Sequence, residues 1–195
     1  MATREELRRQ GEITRQRLFG AATAQEPQGF GTLLTEAVQG AIWNRPGLAM
    51  PDRMLCTLAA LAVWPRLRQL RRHIGAALDL GLSAEAVREV LVQAGLYAGF
   101  SVAEETLALM AEVLAERGVP FPPDPPADAS LEELAQRGRA LMQDVHGERS
   151  RQGYAAPDNP VTYALYELAI QYGYGEIWFR PGLERRVQQT PDRLR

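Results

Sequence analysis

Gly40-Ala41-Ile42-Trp43-Asn44-Arg45-Pro46-Gly47-Leu48 returns almost unchanged as Gly175-Glu176-Ile177-Trp178-Phe179-Arg180-Pro181-Gly182-Leu183. From Trp43 to Trp178 is 135 positions, far beyond the periods of about 20 to 50 residues that build solenoids. The pattern therefore reads as duplication of a domain-sized unit. The first copy leads into a long helical sequence, Asp52 to Glu116, whereas the second runs on only to Arg195, short of any such core. The expected plan is a complete module at 1–118, a linker at 119–129 and, at 130–195, a partial repeat of the opening helices and their Trp-x-Arg-Pro-Gly-Leu turn.

Outward from these stretches, sustained period-2 alternation is missing, and Val and Ile are sparse beside Ala, Leu, Arg and Glu, which favour helix. The expected fold is all-α. Helices are predicted over Arg4–Phe19 and Phe30–Trp43. The second of these is stopped by Pro46 and Gly47, since proline cannot continue a helix and glycine permits the turn. Asp52 is the expected N-cap of Arg53–Val63. Arg66–Leu80, Ala84–Tyr97 behind a capping Ser83, and Val102–Arg117 complete the module. Five prolines between Val119 and Ala129 predict an extended, semi-rigid segment. Beyond it, Leu131–His146 and Val161–Ile177 read as helices around a polar loop, Gly147–Asn159.

The composition bounds the function. With 46% hydrophobic and 24% charged residues the chain reads as an ordinary soluble globular sequence. A net charge of −2 argues against a general nucleic-acid binder, which needs a basic excess. The longest apolar stretch, Leu55–Trp64, is about half of what a membrane span requires. The charged opening Arg4-Glu5-Glu6-Leu7-Arg8-Arg9 is unlike a secretion signal, so a cytoplasmic location is expected. Cys56 stands alone, which removes internal disulfides and any cysteine-rich metal site, and it is expected to be a small buried hydrophobe.

His73 is the first candidate for chemistry. It follows Gln69 by one helical turn, so the two side chains can meet at the edge of a buried stripe of Leu67, Leu70, Ile74, Ala77 and Leu78. The alternative is a structural boundary histidine. Arg45 and Arg53 flank the Pro-Gly turn and suit bidentate capture of a carboxylate. Equally, Arg45 fits a role at a helix C-terminus and Trp43 a role in the core. Tyr97 reads first as a core residue, although its hydroxyl could donate a proton, and Trp178 and Arg180 either line a site or are structural.

Trp43-Asn-Arg45-Pro-Gly-Leu48, then Arg53, then His73-Ile-Gly-Ala-Ala-Leu-Asp-Leu-Gly-Leu-Ser-Ala-Glu85-Ala-Val-Arg-Glu89, then Tyr97-Ala-Gly-Phe together resemble the carboxymuconolactone decarboxylase family, within the AhpD-like superfamily. The resemblance covers about Gly40 to Leu114. It implies an orthogonal helical bundle of the AhpD-like type and a homo-oligomer, a trimer or hexamer. It further implies a cofactor-independent acid/base enzyme, a lyase without metal, acting on a small carboxylate or lactone, with no nucleic-acid or membrane partner. Catalysis would fall to His73 with Gln69, and substrate binding to Arg45, Arg53, Trp43 and Tyr97, with Trp178 and Arg180 possible additions from the repeat. The peroxidase branch of the superfamily carries a cysteine pair where this chain has Arg66 and Gln69, and a disulfide cycle needs two sulfurs. The decarboxylase branch carries Glu at the position of Gln69. That departure leaves two alternatives open: a variant acid/base reaction in secondary metabolism, or a non-catalytic binding or assembly protein of the same fold.

Overall fold

The computed structural model describes residues 2–20 and 28–184, and among them every regular element is helical. Helix α1 (Arg4–Phe19) opens with a capping box in which the Glu6 amide donates to Thr3 Oγ1 and the Thr3 amide donates to the Glu6 carboxylate. Two N–H groups that the helix itself leaves without partners are thereby satisfied. A single turn, α2 (Gly31–Leu33), continues as a π-helix, π1 (Leu34–Ile42). Its last wide turn is closed by the Trp43 N–H donating to the Val38 carbonyl at 2.9 Å, five residues back. An ordinary helix was the expectation here. The apolar positions of such a segment look the same whether its bonds span four residues or five, so periodicity did not distinguish the two.

Glycine joins α1 to π1. A Cβ on Gly11 would stand 2.1 Å from the Thr35 carbonyl oxygen, and one on Gly40 would stand 2.2 Å from that of Leu7. No side chain fits in that space, so the two backbones meet only at these positions. Buried Glu36 adds ion pairs to Arg4 and Arg8 of α1 at 2.8 and 2.7 Å.

Helix α3 (Met50–Val63) starts earlier than expected. Pro51 lies at its opening and Asp52 falls in its first turn, so Ala49 rather than Asp52 is the N-cap. Proline is at home there because the first-turn N–H groups have no partner within the helix. Helices α4 (Leu67–Asp79), α5 (Ala84–Ala98) and α6 (Phe100–Glu116) follow, and the Ser83 hydroxyl caps α5 by accepting from the Ala86 amide at 3.1 Å. Met54, Leu58, Leu70, Ile74, Val87, Leu91 and Met110 are fully buried in the core of these four helices, each contributing about 1.5–3 kcal/mol. Cys56 lies off the Met54–Leu58–Ala62 stripe and is exposed, contrary to expectation. Two residues along a helix turn a side chain through roughly 200°.

Residues 119–130 carry no regular structure. The Arg88 guanidinium, on a side chain only 3% exposed, donates to the Pro122 carbonyl at 3.2 Å and to the Pro123 carbonyl. Helix α7 (Leu131–His146) again opens with a capping box, Ser130 with Glu133. Two 3₁₀ turns occupy part of the expected polar loop, after which α8 (Tyr163–Leu168) runs into π2 (Ala169–Glu176) and a 3₁₀ turn at Ile177–Phe179. The glycine contact recurs here. A Cβ on Gly138 would lie 2.1 Å from the Ile170 carbonyl oxygen, and one on Gly175 would lie 2.0 Å from that of Leu134. Met142, Ala155 and Ile170 form a small separate cluster with Tyr166 and Tyr174, while Leu183 reaches back to the main core.

Candidate active site

The α4 stripe that anchors the helix, Leu70, Ile74 and Ala77, leaves His73 half-buried at its edge. His73 Nδ1 lies 2.7 Å from the main-chain oxygen of Gln69. A carbonyl only accepts, so Nδ1 carries the proton and Nε2 keeps its lone pair in the neutral ring. The expected partner was the Gln69 side chain. That side chain is exposed, and the backbone carbonyl one turn back fixes the tautomer in its place. Phe19 presents an edge-to-face contact to the imidazole, with centroids 5.1 Å apart at 79°. Burial holds the His73 pKa below its ordinary 6.5; the Gln69 bond works against this and the charge of Arg72 adds to it. The ring is therefore a neutral base at neutral pH.

His73 opens onto a cavity of about 770 Å³ enclosed by α1, π1, α3 and α4. Leu18, Phe19, Leu34, Val38 and Ile42 supply apolar wall, Trp43 and Thr57 close one side, and Arg15, Arg68 and Arg72 bring positive charge; none of the described residues lining it is acidic. The Arg72 guanidinium lies 3.7 Å above the Phe19 ring centroid, a stacking that suits its flat, weakly hydrated cation. Burial and the neighbouring Arg15 lower the Arg72 pKa, but a guanidinium stays charged throughout the working range. Gln39 also lines the cavity, only 6% exposed, with its Oε1 lacking any hydrogen-bond partner. An apolar wall with clustered cations and a neutral base suits an anion with an apolar body. A smaller cavity of about 230 Å³ lies nearby. Arg72 borders it too, and its other charges are paired, Arg71 with Glu112 and Glu116, and Arg117 with Asp79.

Of the residues anticipated from sequence, Trp43, Gln69 and His73 meet in this cavity. Arg45 and Arg53 do not line it. The Arg53 guanidinium donates to the Ile42 carbonyl at 3.1 Å and to the Arg45 carbonyl, so it closes the end of π1, the role that Arg45 was also considered for. Tyr97 is 64% exposed on α5, away from the cavity and outside the core; partial desolvation raises its pKa, with Trp178 acting against this. Trp178 is 5% exposed and stacks on Tyr174. Arg180 binds Glu89 of α5 through both Nε and Nη2, at 2.7 and 3.1 Å. Sequence reasoning missed Arg15, Arg68 and Arg72 as site residues. The signal was present for α4, where Arg68 and Arg72 are one turn apart on the face that carries Gln69 and His73. For Arg15 there was none, because its place depends on how α1 crosses α4.

Residues 28–112 match the model of the Carboxymuconolactone decarboxylase family. This segment belongs to that family. Within the carboxymuconolactone decarboxylase segment lie π1, α3, α4 and α5, hence His73, Trp43 and two of the three cavity arginines. Arg15, Leu18 and Phe19 come from α1, outside it. One relative, the 4-carboxymuconolactone decarboxylase of Acinetobacter baylyi, is 29% identical over 92 residues, covering 47% of this chain and 69% of the relative. Another, the nitrosuccinic acid decarboxylase of Metarhizium robertsii, is 33% identical over 67 residues, 34% of this chain and less than half, 47%, of that protein. No helix among the described residues is long and apolar enough to cross a membrane.

Proposed function

We propose that the module is a cofactor-independent acid/base enzyme of decarboxylase type, acting on a small carboxylated or lactone-like metabolite. The observation that carries this reading is the meeting, in one cavity, of a histidine of fixed tautomer with Arg68 and Arg72 above an apolar wall. Both relatives described above are decarboxylases by name. In this scheme the guanidinium groups grip carboxylates and the wall takes the body of the ligand. As the bond to the carboxylate carbon breaks, carbon dioxide leaves and the electron pair moves into a conjugated carbonyl as an enolate. His73 then delivers a proton to carbon and regains one from water. A bound carboxylate offsets the Arg72 charge that disfavours imidazolium, so substrate binding raises the His73 pKa toward that of a useful acid. The protein is further proposed to work as a homo-oligomer.

The test is carbon dioxide release from a panel of small carboxylated lactones and dicarboxylates. His73→Ala is expected to lower turnover by about 10² to 10⁴, the usual contribution of a positioned acid or base. Arg72→Gln is expected chiefly to raise KM. Full turnover in His73→Ala would remove histidine acid/base chemistry from this site.

A further inference from the structure

The strongest feature outside the cavity is the seat of the second Arg-Pro-Gly-Leu turn. One ridge of α5, Glu85–Glu89–Gln93–Leu96, runs antiparallel to the end of π2 and the residues that follow it. Leu96 packs on Gly173, where an added Cβ would come within 3.2 Å of it. Gln93 Nε2 donates to the Ile177 carbonyl at 3.3 Å. Glu89, 1% exposed, takes the Arg180 fork on one side and Arg88 Nε at 2.6 Å on the other. Gly182, at φ +111°, lies so close that an added Cβ would be 3.2 Å from Glu89 Cγ and 3.3 Å from the Glu85 carbonyl group.

The first turn has the same local shape, but Arg45, Pro46, Gly47 and Leu48 are exposed among the described residues, and the contact made to it is that of Arg53 with the Ile42 and Arg45 carbonyls. The Arg45 N–H donates to the Ile42 carbonyl at 3.3 Å, as the Arg180 N–H does to that of Ile177. Gly47 has φ +94°, with open space where its Cβ would be. Ile42 and Leu48 are 53% and 44% exposed, whereas Ile177 is 8% exposed. The described residues thus carry two turns of one shape and a single seat.

We propose that the α5 ridge is a receptor for the Arg-Pro-Gly-Leu turn, that the Arg180 turn fills it within the chain, and that the exposed Arg45 turn of a second copy is its alternative occupant. The occupant is identified by chemistry on both sides: a guanidinium for buried Glu89, a glycine for the close approach at Glu85, and an apolar leucine beyond. Tethering gives the internal turn an effective concentration in the millimolar range, so it holds the seat unless weakened. The C-terminal segment therefore limits association of copies along this edge.

The test uses the full chain carrying Arg180→Ala and Gly182→Val, with association followed by analytical ultracentrifugation over a range of concentrations. The variant should associate at a concentration at least about tenfold below wild type, as loss of a buried charge partner implies, and adding Arg45→Ala should restore wild-type behaviour. Association unchanged in the double variant, or changed but insensitive to Arg45→Ala, overturns the proposal. Should the double variant fail to fold, Arg180→Lys, which keeps the charge and loses the fork, should shift association in the same direction by a smaller factor that Arg45→Ala again abolishes. No shift there overturns the proposal equally.

Discussion

Trp43 and Trp178 follow π-helices that glycine clamps to a neighbouring helix in the same way, yet Trp43 lines a cavity of about 770 Å³ and Trp178 is stacked on Tyr174 with ring centroids 6.0 Å apart. The facing residues differ as well. At the end of α1, Phe19 meets His73, whereas at the end of α7, His146 Nε2 lies 2.9 Å from the Tyr174 hydroxyl. Similar local sequence produces a similar local turn, but what the turn does is set by the surface across from it: α4 and its histidine for the first, the α5 ridge for the second. Local motifs predict local geometry, and function follows from the partner that packing supplies.

The arginine pair is the hardest test of that contrast. Arg180→Ala leaves Glu89 buried with one partner fewer, and truncating one side of a buried ion pair costs about 3 kcal/mol or more. Arg45→Ala, at an exposed position, should leave the denaturant midpoint where it was. Equal shifts in the two variants would mean that the turns are not used differently. A smaller effect comes from the clamping glycines. Gly11→Ala and Gly138→Ala each place a methyl about 2 Å from a carbonyl oxygen, and such overpacking costs about 1–3 kcal/mol. Both should lower stability, but only Gly11→Ala should also lower activity per folded molecule, because only the first pair walls the cavity. An equal loss of activity in both would erase the distinction.

The histidines offer a subtler comparison. Because His73 has its pKa lowered on folding, the unfolded chain takes up a proton as pH falls through about 6.5 while the folded chain does not. His73 therefore contributes a loss of stability below pH about 6.5 that continues until the folded ring itself titrates. His73→Gln should flatten the stability profile in that window. Gln69→Glu should raise the His73 pKa by placing a negative charge one turn away, moving upward the basic limb of the pH–rate profile, on which a proton-donating His73 loses its proton. An unmoved limb would exclude His73 as its source. The smallest effect is expected at Cys56, which is exposed. Cys56→Ala should change neither stability nor turnover, and hydroperoxide consumption that vanished in this variant would reopen the thiol chemistry set aside above.

The helical architecture was legible in the sequence because its signals are local: a capping residue at Ser83, apolar residues three and four apart, and a run of prolines that cannot bond through N–H. His73 was legible for the same reason, since its place at the edge of a buried stripe follows from helical spacing. The rest required tertiary contacts. Whether Arg53 reached for a substrate or for the carbonyls closing π1 depended on how sharply the chain turns after Trp43. Arg15 entered the site only through the crossing of α1 over α4. Cys56 showed the cost of taking buried Leu55 and Leu58 as its face-mates, when a helix turns it away from both and it shares its exposure with Ala60, one turn on.

The wide turns of π1 carry a consequence for how this stretch of chain tolerates changes in length. An α-helix advances about 100° per residue, so excising one residue between Leu34 and Ile42 would draw the segment into tighter turns and swing Trp43, Arg45 and all that follows around the axis by roughly that angle. The indole would leave the cavity wall and the Gly40 contact would fall out of register with Leu7. An isolated point substitution on the outer face spares that arrangement, whereas an insertion or deletion of a single codon does not. Across homologous chains, the spacing from Leu34 to Trp43 is thus expected to stay constant.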